Sequence, residues 1–251
     1  MPRPDFDTPN PDGDLWGQVR GCLPLSLCDW PGRTTAVLFL GGCNLRCPTC
    51  HNAGLAFQPG SLPPVDRVQV LADLRRNRGW LDGLVVTGGE PTIHAGRGLE
   101  GWLRELRAEL GLPIKIDTNA LRPEVSARLL AAGLVDRLAV DVKGPPALYP
   151  ALTGGAVSAA RAAACLDAHF DLARHHPGQA YFRCTRVPLL TAEDLAEVAR
   201  LVPAGAELRW QDYVPPAARL PATLPAAVRP SPPPAVVHLP PPAVRLPALA
   251  C

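Results

Sequence analysis

The strongest constraint on the fold is a regular alternation of short apolar runs and helical patterns between residues 33 and 213. The runs are rich in β-branched and apolar residues and predict six strands, over 34–40, 84–87, 113–117, 138–141, 181–187 and 207–211. A full eight-unit α/β barrel takes roughly 31 residues per unit, so a region of about 180 residues accommodates about six units. The sequence therefore predicts an α/β fold, a partial (β/α)6 TIM-like barrel of parallel strands.

Helical patterns lie between the predicted strands. Apolar residues recur at helical spacing in two segments, Val65, Val68, Leu71, Leu74 and Leu99, Trp102, Leu106, Leu110. Pro123 and Gly133 bracket a third helix, and the alanine-rich segment 157–175 predicts a fourth. Thr191, with Asp194 three residues later, has the pattern of a capping box and predicts the start of a fifth helix.

Composition indicates where the folded domain begins and ends and in which compartment the protein is expected. Residues 1–15 are expected to be a flexible lead-in, 16–214 the barrel domain, and 215–251 a disordered tail, because proline recurs there too often for a helix or a central strand. The acidic, proline-rich start does not have the pattern of a signal peptide, which predicts a cytoplasmic protein. No apolar run approaches the roughly 18 residues of a membrane helix, so no membrane span is expected. A net charge of +2 gives no electrostatic bias toward nucleic acid.

Three cysteines occur close together in the run GGCNLRCPTCHN. Cys43, Cys47 and Cys50 have the spacing C-x3-C-x2-C and directly follow the first predicted strand. Three thiolates can hold a [4Fe-4S] cluster and leave one iron free for a ligand, whereas four would complete its coordination. The alternative is a Cys3His zinc site that includes His51. The remaining cysteines are scattered and offer no second C-x2-C pair, which favours the cluster and a count of one cluster per chain.

Polar motifs follow the predicted strands at the ends where parallel α/β folds place their ligands. After the cysteine loop they are Thr87-Gly88-Gly89-Glu90-Pro91, Asp117-Thr118-Asn119, Asp141-Val142-Lys143 and Gln211. Each motif alone has residues that are common in turns after strands. It is the order of the motifs along the chain that predicts a single site. Gly88 and Gly89 have no Cβ atom, so the backbone there can approach a ligand closely.

Five segments together resemble one family of enzymes. They are, in order, SLCDWPGRTTAVLFLGGCNLRCPTCHN, VVTGGEPT, KIDTNA, LAVDVKGP and YFRCTRVPL. They are similar to the radical S-adenosylmethionine (radical SAM) activating enzymes of glycyl radical enzymes, in particular the anaerobic ribonucleoside-triphosphate reductase activating proteins. The similarity extends from about residue 17 to residue 213, with residues 26–52 its most specific part.

The resemblance implies a one-electron reaction carried by cofactors. Cys43, Cys47 and Cys50 would ligate a [4Fe-4S] cluster whose fourth iron chelates SAM. Reductive cleavage of SAM would give a 5′-deoxyadenosyl radical, which takes a hydrogen atom from a glycine Cα of a partner glycyl radical enzyme. The implied partner is a class III ribonucleotide reductase, and the implied electron donor is a flavodoxin or a ferredoxin. No catalytic side chain beyond the cluster and SAM is expected.

The resemblance also assigns the SAM-binding residues. Gly88, Gly89 and Glu90 correspond to the segment that contacts the methionyl amino group. Asp117, Thr118 and Asp141 would line the SAM site, where they could share a monovalent cation, and Lys143 would lie near the SAM carboxylate. A turn or helix-cap role is the alternative for each carboxylate. Arg183 could pair with a ligand carboxylate or, structurally, with Asp141.

Among the positions that depart from the family pattern are Thr49 and Ala120, and two other functions remain open. Thr49 stands where an aromatic residue usually lies beside the adenine, and Ala120 stands where glycine is usual. The first alternative function is a radical SAM reaction on a small molecule, of the kind catalysed by 7-carboxy-7-deazaguanine synthase. The second is a non-catalytic zinc-binding module. The SLCDWPGR segment favours activation of a glycyl radical enzyme over the small-molecule reaction, and cleavage of SAM would eliminate the zinc module.

Overall fold

A single seven-stranded sheet runs through the computed structural model, which describes residues 14–215. Its strands lie side by side in chain order: β1 Val19–Ser26, β2 Thr35–Leu40, β3 Gly83–Gly88, β4 Ile114–Thr118, β5 Arg137–Asp141, β6 Ala180–Arg186 and β7 Leu208–Asp212. Strands β2 to β7 are parallel, and β1 pairs antiparallel with β2. The predicted partial barrel of six parallel strands is confirmed, and β1 adds a seventh strand that the sequence reading did not predict.

Seven α-helices connect or follow the strands in the described residues. They are α1 Ala53–Phe57, α2 Arg67–Asn77, α3 Leu99–Leu110, α4 Pro123–Ala131, α5 Tyr149–Leu152, α6 Ala159–His175 and α7 Ala192–Leu201. Gly111 ends α3 in the left-handed conformation at φ 60°, as its position after the last apolar residue predicts. The predicted capping box is present at the start of α7, with Thr191 and Asp194 bonded to each other's backbone.

Helix α2 begins later than its apolar spacing suggested. Asp66 caps it, accepting hydrogen bonds from the backbone N–H groups of Val68 and Gln69. Val70, Leu71 and Leu74 form its buried side, whereas Val68 is 77% exposed. The prediction of a helix is therefore confirmed. The prediction that Val68 belongs to its apolar side is wrong, because the helix packs through Val70, Leu71 and Leu74 and leaves Val68 exposed in its first turn.

The two faces of the sheet have different partners. Residues such as Leu84, Ile116 and Phe182 point to the helices and form the main core. Alternate residues on the same strands point to the inside of the barrel, because successive side chains of a strand face opposite sides. Leu15 belongs to the segment 1–15 that was predicted to be a flexible lead-in, yet it is fully buried in the main core. The packed part of the chain therefore includes Leu15.

No helix within 14–215 has the length and apolar character needed to cross a membrane.

The inside of the barrel is divided into an apolar part and a charged part. On the side of β2 and β3, Trp30 packs with Val37, Val85 and Phe39 in a small cluster separate from the main core. Trp30 also lies against Gly83, where a side chain would collide with its ring. On the side of β4 to β6 the inward residues carry charge: Lys115, Asp117, Asp141 and Arg183. The charged part adjoins the carboxyl ends of the strands.

Candidate functional site

A cavity of about 360 Å³ opens where the parallel strands end. Its lining includes every residue that the sequence assigned to cluster or SAM binding: Cys43, Cys47, Cys50, Gly88, Gly89, Glu90, Asp117, Thr118, Asp141 and Lys143. They come from four separate segments of the chain, and the parallel order of β2 to β5 brings those segments to one edge. The predicted clustering of polar motifs is thus present in the fold.

The cysteine loop is held in place by backbone and arginine contacts. It leaves β2 through Gly42, whose φ of 90° suits glycine. Arg46 Nη1 donates to the carbonyl oxygens of Cys43 and Leu45, both at 2.8 Å, and the Arg46 N–H donates to Thr153 O at 3.2 Å. These contacts hold the loop in a defined shape and against Thr153.

The Cys43 sulfur lies in a protein environment that favours a bound cation. Cys43 is 8% exposed, and burial, with a contribution from Glu90, raises the pKa of its thiol to about 12. The Leu45 N–H and the Asn119 side-chain amide donate to its sulfur at 3.4 and 3.7 Å. Burial also raises the pKa of Cys47 and Cys50. The buried thiol of Cys43 and the half-buried thiols of Cys47 and Cys50 become stable thiolates when a cationic centre binds them, because the metal offsets the cost of burying negative charge.

The cysteine sulfurs are not arranged around a single metal ion. Within 14–215 no group of three or more His, Cys, Asp or Glu side chains converges on one point suited to an ion. The ligands of a cubane cluster bind different iron atoms, so they do not have to converge in that way. The donor set of three free cysteines fits a [4Fe-4S] cluster with one iron left open.

Glu90 joins two of the polar motifs. It is 1% exposed, and its carboxylate accepts hydrogen bonds from Thr92 N and Oγ1, from Thr118 Oγ1 at 2.9 Å and from Asn119 N at 2.6 Å. Burial raises the pKa of Glu90, and these donors partly offset that effect. Its side chain is therefore engaged by the protein itself and ties the loop after β3 to the loop after β4.

The two glycines of the same motif approach the chain's own backbone. A Cβ atom at Gly88 would meet the backbone of Leu40, and one at Gly89 would meet the carbonyl of Gly42. The N–H groups of Gly89 and Glu90 donate to Leu40 O and Gly42 O at 2.9 and 2.8 Å. The close approach that glycine permits here holds the motif against the start of the cysteine loop.

A chain of alternating charges lies in the cavity wall. Arg183 donates to Asp117 Oδ2 at 3.1 Å and to Asp141 Oδ1 at 2.8 Å. Lys115 pairs with the other oxygen of Asp117, Oδ1, and Lys143 Nζ lies 3.4 Å from Asp141 Oδ2. Burial alone would raise the pKa of Asp141, but Arg183 and Lys143 hold it below its ordinary value. Of the two pairings considered for Arg183, the structure contains the one with Asp141.

The residues after the third cysteine contact distant parts of the chain. His51 stacks on Tyr213, with ring centroids 5.6 Å apart and planes 13° apart, and its Nε2–H donates to Val214 O. Asn52 Nδ2 donates to Gly88 O at 3.4 Å. Through these contacts His51 and Asn52 shape the loop, and His51 joins it to the segment that follows β7.

Several residues near the site were not assigned to it from the sequence. Asn119 contacts the Cys43 sulfur, Lys115 pairs with Asp117, and Asp29 and Gln211 line the cavity. Asn119 and Gln211 stood in the motifs at the strand ends, so position gave a usable signal for them. Lys115 had one too, since it lies two residues before Asp117 and so faces the same side of β4. Asp29 lies in the loop between β1 and β2, and its position relative to the predicted strands gave no signal that it would line the cavity.

The comparison with known families agrees with this geometry. A family model described as the radical SAM superfamily matches residues 37–202. The chain belongs to the radical SAM superfamily. Membership implies a [4Fe-4S] cluster and SAM as cofactors, and the cavity described above offers three free cysteines and a charged wall to receive them.

Two curated relatives of this radical SAM chain match it over about half their length. A protein of Methanocaldococcus jannaschii, provisionally named a glycyl-radical enzyme activating enzyme, is 37% identical over 125 residues, which are 50% of each chain. A 7-carboxy-7-deazaguanine synthase of Methanopyrus kandleri is 28% identical over 131 residues, 45% of this chain and 51% of that protein. The chain thus spans about half the length of the curated relatives it matches.

Solved structures of other proteins are similar at lower identity. The structure of anSMEcpe with bound AdoMet and the Cp18Cys peptide is 17% identical, covering 70% of this chain and 49% of that one, with a TM-score of 0.46. The structure of QueE from Escherichia coli is 14% identical, covering 78% and 97%, with a TM-score of 0.41. Coproporphyrinogen III oxidase from Escherichia coli is 18% identical, covering 74% and 46%, with a TM-score of 0.44.

Proposed function

We propose that this chain is a radical SAM activase that generates a glycyl radical on a partner enzyme, a class III ribonucleotide reductase. The observation that carries the proposal is the placement of Cys43, Cys47 and Cys50 beside one cavity whose other walls come from the GGE, DTN and DVK motifs. The relative from Methanocaldococcus jannaschii, 37% identical over 125 residues, supports the choice of an activase.

The residues of the chain have separate tasks in this proposal. Cys43, Cys47 and Cys50 would hold the cluster, and the donors to the Cys43 sulfur, Leu45 N–H and the Asn119 amide, would tune its charge. When bound and reduced, the cluster with SAM supplies one-electron cleavage of the sulfonium carbon–sulfur bond and abstraction of a hydrogen atom. The protein binds and orients these groups and excludes water from them.

The SAM-binding part of the proposal uses the charged wall of the cavity. Lys143 is cationic and faces the cavity, so it would attract the SAM carboxylate. Asp141 and Tyr149 fix it, the first through its side chain and the second by accepting a hydrogen bond from the Lys143 N–H at 3.1 Å. Gly88, Gly89, Asp117 and Thr118 would shape the remaining wall. Glu90 would act through Thr118 and Asn119, whose positions it sets.

The open side of the sheet suits a macromolecular substrate. Within 14–215 the strand order ends at β1 on one side and at β7 on the other, so the described sheet is not closed into a full barrel. Asp29 and Gln211, on or near those edge strands, line the cavity. An opening between the edges would admit an extended loop that carries the target glycine. The proposed domain is the region 16–214, and a flavodoxin or ferredoxin is the proposed electron donor.

The proposed setting is the cytoplasm. The described cysteines are all free thiols, which suits a reducing compartment.

The test is an anaerobic incubation of the reconstituted chain with SAM, a reductant and the ribonucleotide reductase encoded in the same genome. A glycyl radical signal on the reductase, read by electron paramagnetic resonance, is the expected result. The Cys47→Ala variant is the control and should give no signal. An intact cluster that cleaves SAM while the reductase stays without a radical would refute this function.

A reaction on a small molecule is the second candidate. The match to a 7-carboxy-7-deazaguanine synthase, 28% identical over 131 residues, is the observation that favours it. The same incubation distinguishes the two, because a small-molecule enzyme would cleave SAM productively only when its own substrate is added. Product formation from a 7-deazaguanine precursor, followed by mass spectrometry, would establish the second function in place of the first.

A further inference from the structure

One guanidinium joins the two carboxylates in the cavity wall. Arg183 Nη1 donates to Asp117 Oδ2 at 3.1 Å, and Arg183 Nε and Nη2 donate to Asp141 Oδ1 at 3.0 and 2.8 Å. The side chains of Arg183, Asp117 and Asp141 are 15%, 11% and 30% exposed. Arg183 thus lies between the two carboxylates in a partly buried position, where charge pairs are screened little by salt.

The other two carboxylate oxygens also face cationic groups. Lys115, whose side chain is fully buried, pairs with Asp117 Oδ1, and Lys143 Nζ lies 3.4 Å from Asp141 Oδ2. Each oxygen of the two carboxylates therefore has a positive neighbour within the protein. Arg183, Lys115 and Lys143 thus pair all four oxygens of these two carboxylates, and the carboxylates of Asp29 and Glu90 line the same cavity.

The Arg183 guanidinium, which joins the two carboxylates, remains charged under all ordinary conditions. Burial alone would lower the pKa of Arg183, but Asp117 and Asp141 raise it above its ordinary value. A guanidinium is also planar and presents several N–H groups at once, which lets it bond two carboxylates from one position. A lysine at position 183 would supply the charge without this geometry.

We propose that Arg183 is the built-in cation of the SAM site, so that SAM binding by this chain requires no added Na⁺ or K⁺. The inference rests on the proposed SAM site and specifies its electrostatics. The family resemblance allows a monovalent cation shared by Asp117, Thr118 and Asp141. Such an ion would lie beside the Arg183 guanidinium, which would repel it, and the carboxylate oxygens it would need are already paired. The residues present therefore do not fit that ion.

The first test measures SAM binding in buffers that differ in their cation. The reconstituted full chain is titrated anaerobically with SAM, without reductant, at equal ionic strength in Na⁺, K⁺ or tetramethylammonium salts. The dissociation constant should agree within about twofold across the three buffers. A dissociation constant at least about tenfold higher in tetramethylammonium, and restored by K⁺, would overturn the proposal. Failure to bind SAM in every buffer would instead refute the proposed SAM site.

The second test removes the guanidinium. Arg183→Leu leaves Asp117 and Asp141 close together without the group that joins them, so SAM affinity should fall by about tenfold or more in tetramethylammonium. Affinity should then recover in part when K⁺ or guanidinium ion is added, because a free cation can enter the vacated position. A purely structural role of Arg183 would not produce this dependence on the cation. Arg183→Lys, which keeps the charge, should depend on K⁺ less than Arg183→Leu.

A matched control is available on the same strand. Arg186 is 49% exposed, pairs with Asp212 and does not line the cavity, so Arg186→Leu should bind SAM as the unmodified chain does in every buffer. If Arg183→Leu does not fold, the comparison of buffers on the unmodified chain still decides the question. Unchanged affinity of a folded Arg183→Leu variant in tetramethylammonium would contradict the proposal.

Discussion

Two single side chains, His94 and Asn119, hold the cysteine loop in place. His94 is 1% exposed, and its Nε2–H donates to Gly41 O at 2.9 Å, directly before the loop. Asn119 donates to the Cys43 sulfur and, at 2.7 Å, to Asn44 Oδ1. Each reaches the loop from a strand-end segment distant in sequence, so the position of the cysteines depends on the whole sheet edge.

His94 should make folding stability depend on pH. Burial lowers its pKa from 6.5 to about 4, so between these values the unfolded chain binds a proton that the folded chain does not. Stability is full above about pH 6.5 and decreases as pH falls toward about 4, by about 3 kcal/mol in total from this group. Urea unfolding measured across this window should show the decrease, and His94→Gln should reduce it.

The matched control for His94 is the exposed His175 near the end of α6. His175→Gln should leave the pH dependence of the unfolding free energy as in the unmodified chain. If His94→Gln retains the full dependence, another group, such as the buried His169, is responsible for it.

The three loop cysteines should be individually necessary for the cluster. Cys47→Ala removes one of three thiolate ligands, so anaerobic reconstitution should bring the chain well below the roughly four iron atoms of one cluster. Cys22→Ser, on β1 and outside the cavity lining, should retain the full iron and sulfide content. Full iron content in Cys47→Ala, or close to eight iron atoms in the unmodified chain, would contradict a single cluster with these ligands.

At the scale of elements, the loop after β3 packs so closely on the loop after β2 that any side chain at Gly89 should destabilise both loops. Gly89→Ala would place a methyl group on the backbone of Gly42, which cannot move aside as a side chain can. We expect a loss of about 2–4 kcal/mol in unfolding free energy and reduced cluster content. Urea unfolding measures the loss of stability, and iron analysis measures the cluster content.

A second glycine gives the control for that substitution. Gly101 lies within α3, and a Cβ atom there meets no heavy atom within 4 Å. Gly101→Ala should raise stability by about 0.5–1 kcal/mol, because alanine favours the helix more than glycine does. Equal effects of the two substitutions would show that the close packing at Gly89 is not what matters.

The elements were largely predictable because their signals are local. Strands β2 to β7 combine apolar runs with a turn motif at the carboxyl end, and α3 and α7 carry stop or cap residues. Strand β1 was not predicted, since Pro24 and Gly21 are unfavourable in a central strand. It forms because an edge strand tolerates them and because β2 needs a neighbour on that side, which is a tertiary effect.

At the scale of the whole molecule, one part of the barrel interior is apolar and packs around Trp30. Trp30 is 6% exposed and packs on Val37 and Val85, and the Arg33 guanidinium lies 4.7 Å from its ring centre. Trp30→Ala should lower the unfolding free energy by about 3–5 kcal/mol, because it leaves a cavity inside the barrel. Trp80 is 74% exposed, and Trp80→Ala should change stability by less than about 0.5 kcal/mol. Similar losses in both variants would contradict this packing role.

The residues that form the site could be predicted from the sequence, whereas the contacts between their side chains could not. Strand-end motifs identified the residues that line the cavity, because parallel order alone brings them together. The bridge made by Arg183 and the engagement of Glu90 by protein donors depend on side-chain directions across neighbouring strands. Those directions follow from the register between strands, which a single sequence does not state.

The order of the strands has a consequence for biosynthesis. Because the sheet follows the chain from β1 to β7, a ribosome releases the cysteine loop long before Arg183 and Tyr213, the residues that complete its surroundings. Until the later strands dock, the three thiols stand at an unfinished edge, accessible to oxidants and to stray metal ions. Insertion of the iron–sulfur centre is therefore best timed after translation of the last strand, and delivery by a dedicated assembly machinery would protect the thiols in the interval.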